Sequence, residues 1–190
     1  LIIMYIYIYI MSRFCVIKGT QITLDNDKSI EIEKLKTEDK LLSFSIDGVE
    51  NTQKYDILKN LWTKDFDGDF SIQLVKNIWK NTVEEYYTIN NKLSITEDHF
   101  IFIKSNDIYI WKEVKDLEVG DYLFKSDNSF ELVETIELIK ESINVYNLEV
   151  NSIYTYFANG YLVHNGAPCG ACGSACGSSS GTGSGSRKKK

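Results

Sequence analysis

Two segments of the chain, IEKLKTEDKLL at 32–42 and VKDLEVGDYLF at 114–124, align without a gap at an offset of 82. Leu35 matches Leu117, Asp39 matches Asp121 and Leu41 matches Leu123. Each reads as a short polar turn closing on Asp, followed by an apolar strand. A match of this kind points to two related β-halves in one pseudo-symmetric domain. The rest of the pattern agrees. Ile, Tyr, Val, Phe and Thr recur in short alternating runs, and there is a single proline, so the predicted fold class is all-β. Strands are predicted near 16–23, 29–33, 40–46, 72–80, 83–90, 93–95, 99–104, 108–111, 121–125, 130–139, 144–150, 153–158 and 161–164. SIDG (45–48) and INNK (89–92) read as turns.

Composition sets the outer limits. With 190 residues, 43% of them hydrophobic, the chain can bury one substantial core. Residues 15–165 hold all 27 acidic residues against 16 basic ones, a net charge of −11. An acidic body argues against nucleic acid as a partner. The ends differ from the middle. LIIMYIYIYIM (1–11) is wholly apolar but shorter than the roughly 20 residues that cross a bilayer. It has no basic stretch before it and no small-residue cleavage site after it. It reads as part of an upstream segment, and neither a membrane anchor nor a signal peptide is expected. GAPCGACGSACGSSSGTGSGSRKKK (166–190) is Gly/Ser-rich without an acidic residue and reads as a flexible flank. Its Cys169, Cys172 and Cys176 are weak metal candidates, since four ligands are usual and no histidine lies nearby. No metal and no cofactor are expected.

The residues suited to chemistry are few. Cys15 stands apart from the other cysteines, and the chain has two histidines. His99 closes TEDH (96–99), three residues after Thr96, and His164 directly precedes Asn165. The stretch FANGYLVHNG (157–166) contains two Asn-Gly pairs. Asn159-Gly160 lies between apolar runs and is predicted to be a hairpin turn. Asn165-Gly166 ends the last strand where the flexible flank begins.

CVIKGTQITLDNDKSIEIEKLKTEDKLLS (15–43) resembles the N-terminal motif of inteins and of the wider Hint family. TEDH resembles that family's Thr-x-x-His motif, and WKEVKDLEVGDYL (111–123) the segment that comes after it. VYNLEVNSIYTYFANGYLVHN (145–165) resembles the C-terminal pair of motifs, closing on His-Asn. The resemblance covers 15–165 with all four segments in order. It implies a horseshoe-like, pseudo-twofold all-β Hint fold whose ends bring together Cys15, Thr96, His99, His164 and Asn165. Residues 125–144, between the third and fourth segments, leave no room for a homing endonuclease, so the implied form is a mini-intein. The implied organisation is an N-terminal flank at 1–14, a Hint domain at 15–165 and a C-terminal flank at 166–190.

The chemistry is set by the groups themselves. A thiol beside its own preceding carbonyl can move the acyl group of Phe14 from nitrogen to sulfur. Near neutrality only a few per cent of an ordinary thiol, pKa about 8.5, is thiolate. The amide is also more stable than the thioester, so the site must polarise the Phe14–Cys15 bond and protonate the leaving nitrogen. His99 suits that donation, with Thr96 holding geometry or donating to the oxyanion. At the other end the Asn165 side-chain amide can attack its own carbonyl. That closes a succinimide and releases the downstream segment, with His164 as acid. Near-attack geometry can supply roughly 7–11 kcal/mol of such a barrier. A rival at this step is deamidation, in which the glycine nitrogen attacks the side chain and the chain stays intact.

Three positions depart from the splicing pattern. Gly166 stands where a Cys, Ser or Thr normally takes over the acyl group. Asn147 stands where many inteins have Asp, and an amide cannot act as a base. Tyr154 stands where many members carry a histidine that assists cyclisation. The expected function is therefore single-turnover autocatalytic processing, with cleavage at one or both ends and inefficient splicing. The substrates are the chain's own flanks, and a stranded thioester is open to water, a thiol or an amine, with Cys169 a weaker internal acceptor. A monomer in an intracellular compartment is expected. Two alternatives stand beside this: an inactive Hint-fold scaffold, and a binding module acting through the Cys/Lys-rich tail. A sterol-transferring relative is disfavoured by the His-Asn ending and the lack of a sterol-recognition region.

Overall fold

In the repeat, Ile32–Lys34 and Val114–Asp116 each form a single 3-10 turn. Each stops where Leu35 or Leu117 turns extended and returns its N–H to the turn's first carbonyl. The matched aspartates close the next turn identically. Asp39 Oδ2 accepts from Lys36 N at 2.8 Å, and Asp121 Oδ2 accepts from Glu118 N at 3.0 Å. The residue before each lies in the left-handed region, Gly120 at φ +104° and Glu38 at φ +71°. Glycine adopts that conformation freely, whereas Glu38 accepts a steric cost.

The computed structural model of the protein describes residues 14–26, 28–47 and 55–165. Among these, two antiparallel sheets carry almost all of the regular structure. The first runs, in spatial order, Ile136–Ile139, Tyr86–Ile89, Leu93–Ile95, Val16–Ile17, Ile143–Val150, Gly68–Val83 and Lys40–Ile46. The second runs Phe130–Leu132, Tyr122–Phe124, Phe100–Ser105, Tyr161–His164, Thr155–Ala158, Gln21–Thr23 and Ser29–Glu31. Ile108–Glu113 joins Phe100–Ser105 and in turn carries Trp62–Thr63. The pseudo-symmetry reaches past the repeat itself. Thr20 N bonds Ile17 O and Ile32 N bonds Thr20 O, while His99 N bonds Thr96 O and Val114 N bonds His99 O. His99 thus occupies in the second half the place that Thr20 holds in the first. The two matching strands pair directly, Val16 opposite Ile95.

Two buried clusters fill the interior. One is largely aliphatic, built on residues such as Ile22, Leu41, Ile95, Leu123 and Val163. The other is aromatic, with Phe44, Phe102, Trp111, Phe124 and Phe157, and it includes Phe14.

The prediction of an all-β chain agrees with the structure, and several boundaries move. The run 16–23 divides into two strands because Lys18–Thr20 form a turn, with Gly19 at φ +87°. The run 130–139 divides at Val133, whose N–H is drawn to Asp121 O at 2.8 Å. The run 72–80 belongs to a longer strand, Gly68–Val83, which serves Lys40–Ile46 along one half and Ile143–Val150 along the other. The helical turn Tyr55–Leu58 and the strand Trp62–Thr63 carry no periodic signal and are not predicted from the sequence. Asn159 and Gly160, at φ +47° and +82°, form the predicted two-residue turn between Ala158 and Tyr161. The predicted flanks, 1–14 apart from Phe14 and all of 166–190, lie outside the described residues, and so does Gly48 of SIDG.

The two matched aspartates differ in surroundings. Asp121 is buried and also pairs with Lys112 at 2.9 Å, whereas Asp39 is half-buried and only caps its turn. Asp121→Ala is expected to cost about 3 kcal/mol and Asp39→Ala about 1 kcal/mol, read from urea unfolding midpoints. Equal losses would mean that the ion pair adds nothing.

Candidate functional site

Cys15 enters the fold through Val16, whose strand lies between Leu93–Ile95 and Ile143–Val150. That position puts the cysteine against the turn Thr96–His99. Thr96 holds it three ways: Cys15 N–H donates to Thr96 Oγ1 at 2.9 Å, Thr96 N–H donates to Cys15 O at 3.0 Å, and the Thr96 hydroxyl donates to the same oxygen at 3.2 Å. The nitrogen of the Phe14–Cys15 amide is therefore fixed, and the thiol beside it is fully buried. Burial pushes that thiol well above its ordinary range, so it rests protonated.

The residue on the acyl side is strained. Phe14 sits at φ +58°, in the left-handed region, a conformation that costs a bulky side chain about 1–3 kcal/mol. Packing holds it there. Its ring stacks on Phe100 with centroids 6.2 Å apart and planes 11° from parallel.

His99 is buried, and both ring nitrogens are engaged. Nδ1 lies 3.2 Å from Phe100 O, and Nε2 lies 3.3 Å from the Tyr156 hydroxyl. A carbonyl can only accept, so Nδ1 carries the ring proton and Nε2 accepts from Tyr156. Burial pulls the imidazole down to about 4, only partly offset by the Phe100 carbonyl, and it is neutral at physiological pH. The turn that carries it is anchored from behind. Lys115 N–H donates to Glu97 O at 2.9 Å, and Lys115 Nζ meets Asp98 Oδ1 at 2.6 Å and Glu113 Oε1 at 3.2 Å. Lys59 closes the other side of Glu113.

The C-terminal residues arrive on the neighbouring strand. His164 pairs with Phe100 on one side and Thr155 on the other. Its ring stands edge-on to Trp111 at 5.3 Å and lies 6.2 Å from Tyr154. Asn165 is fully buried, and its backbone N–H donates to Tyr154 O at 2.7 Å. No described residue hydrogen-bonds its side-chain amide. Tyr154, at φ +61°, meets Asn165 through its backbone, and its ring faces His164 instead.

The predicted residues therefore fall into two neighbouring groups. Cys15, Thr96 and His99 form one, His164 and Asn165 the other, and Phe100 links them by stacking on Phe14 and pairing with His164. Asn147 is buried on the strand that pairs with Val16, one residue beyond Tyr146. Gly166, Cys169, Cys172 and Cys176 lie outside the described residues. Among the described residues no group of three or more His, Cys, Asp or Glu could hold a metal ion. No helix there is long and apolar enough to cross a membrane. Tyr156 and Phe100 are not singled out by the sequence pattern. A signal for Tyr156 was available all the same: a tyrosine in an all-buried TYFA strand must find a partner for its hydroxyl.

Residues 22–167 match the family model for the pretoxin HINT domain. The chain belongs to that family. The matched span contains Thr96, His99, His164 and Asn165 and begins after Cys15. The HINT domain of this chain is similar in fold to solved structures of several inteins. A bacterial intein-like domain from Clostridium thermocellum superposes with a TM-score of 0.64 at 24% identity, covering 81% of this chain and all of that one. The TvoVMA intein gives 0.61 at 17% identity, covering 80% and 97%. A DnaB intein from Synechocystis gives 0.56 at 14% identity, covering 80% and 99%. No curated protein matches the chain.

The buried imidazole makes stability depend on pH. The unfolded chain takes up a proton at His99 below about pH 6.5, while the folded ring resists it down to about pH 4. Stability is therefore expected to fall by roughly 3 kcal/mol as pH drops through that window. Urea unfolding of the wild type and His99→Gln, compared at pH 7 and pH 4.5, checks this. A difference between them that does not change with pH would show that the ring titrates normally.

Proposed function

We propose that residues 15–165 form a self-processing domain that acts once on its own flanks. The thiol of Cys15 attacks the carbonyl of Phe14, converting the amide to a thioester, with Thr96 holding the bond and His99 giving the nitrogen its proton. The side-chain amide of Asn165 attacks its own backbone carbonyl, with His164 as acid, and frees the segment that begins at Gly166. The family's description as a pretoxin domain suits a module that sits upstream of a segment to be released.

The observation that carries the reading is the link through Phe100. Its ring stacks on Phe14, and its backbone pairs with His164, so the beginning and the end of the domain abut. Phe14, on the acyl side of the bond to Cys15, is held in the left-handed region at φ +58°. An Asn165 side chain that no described residue engages is available to attack. Gly166 offers no nucleophile to receive the acyl group, so terminal cleavage is favoured over joining of the flanks.

Intact-mass spectrometry on the full chain over time tests this. The wild type is expected to lose residues 166–190, and Asn165→Ala to retain them. Residues 1–14 are expected to leave on addition of a thiol, and Cys15→Ala to abolish that release. An unchanged mass in every sample would identify an inactive scaffold, and a gain of about one dalton without cleavage would identify deamidation at Asn165-Gly166.

A further inference from the structure

Phe14 belongs to no strand, yet it is placed like a core residue. It is only 7% exposed and lies in the aromatic cluster with Phe44, Phe100, Trp111 and Leu162. A bulky side chain takes a φ of +58° only where its surroundings fix it there. Here the fixing contact is the Phe100 ring, 6.2 Å away and 11° from parallel, within the range of an offset stack. Phe100 is itself buried, with its backbone paired to Glu113 on one side and His164 on the other. Its carbonyl meets His99 Nδ1 at 3.2 Å. One residue thus touches the acyl side chain through its ring and the imidazole through its backbone.

The Phe14–Cys15 bond is gripped from both sides, by different means. Thr96 holds the amine side through the backbone nitrogen and oxygen of Cys15, which every residue has. The acyl side is held through a ring, which only an aromatic residue has. We infer that the Phe100 ring is the seat that reads the side chain before Cys15, so that the domain selects upstream segments ending in an aromatic residue. The inference rests on the thioester reading proposed above and adds a substrate class to it. A leucine at 14 fills part of the seat but has no face to stack. A glycine takes the left-handed conformation without strain but fills nothing. In either case the acyl carbon loses its fixed place beside the thiol, and lost near-attack geometry slows the step.

The test replaces Phe14 in the full chain and follows release of residues 1–14 by intact mass under dithiothreitol at pH 7. Phe14→Leu is expected to slow release about 10-fold and Phe14→Gly about 100-fold. Release from Phe14→Gly at the wild-type rate would show that the left-handed backbone matters and the ring does not, and would overturn the inference. Release from Phe14→Leu at the wild-type rate would reduce the seat to general burial and overturn selection for an aromatic residue. Phe100→Leu completes a double-mutant cycle, and in that background the gap between Phe14 and Phe14→Leu is expected to shrink to about twofold. A gap that stays unchanged would overturn the role of Phe100. The contact is also read without any reaction, by NMR of the full chain carrying Cys15→Ala. Nuclear Overhauser effects between the Phe14 and Phe100 ring protons are expected, and their absence would overturn the seat. A wild type that keeps residues 1–14 under the thiol while those ring contacts are seen would overturn the thioester reading, and the selectivity with it.

Discussion

Three hydrogen bonds between Thr96 and Cys15 fix the point on which the rest of this protein depends. They hold the nitrogen and the carbonyl of one residue from a single neighbour, in a place without solvent. Each such bond contributes only about 1 kcal/mol net, but together they leave the preceding peptide little freedom. Phe14 is bent into the left-handed region and kept there by its stack on Phe100. The strain at one bond is thus balanced by aromatic packing in a core several residues deep.

Burial decides the protonation states around that point. The thiol and the phenol are pushed up and the imidazole is pulled down, all by loss of water. Every group at the N-terminal centre rests neutral as a result. Charge is kept close by, in the chain Asp98, Lys115, Glu113 and Lys59, where each carboxylate meets an ammonium. That network holds the turn bearing His99 in place from its outer side, and the inner side is buried.

The pseudo-twofold repeat explains how two ends so far apart in sequence come to lie together. Each half presents a short strand, a tight turn and a 3-10 turn, and the two short strands pair at Val16 and Ile95. In one half the turn ends in Thr20, in the other in His99. A symmetric frame has therefore been given an asymmetric centre, with His99 of one half standing where the other half has Thr20.

Much of this was legible in the chain. The offset of 82, the turn residues and the β-branched runs specify the halves and their strands, because they act through local backbone preference. Cys15, TEDH and the closing His-Asn mark the candidate groups, because their chemistry is intrinsic to the side chains. Tertiary structure decided the rest. That Tyr156 serves His99, that Phe14 is strained, that Phe100 joins the two ends and that the imidazole is neutral all depend on contacts between distant segments. Such contacts leave no periodic signal, since each depends on a single pair of residues placed by the packing of two sheets.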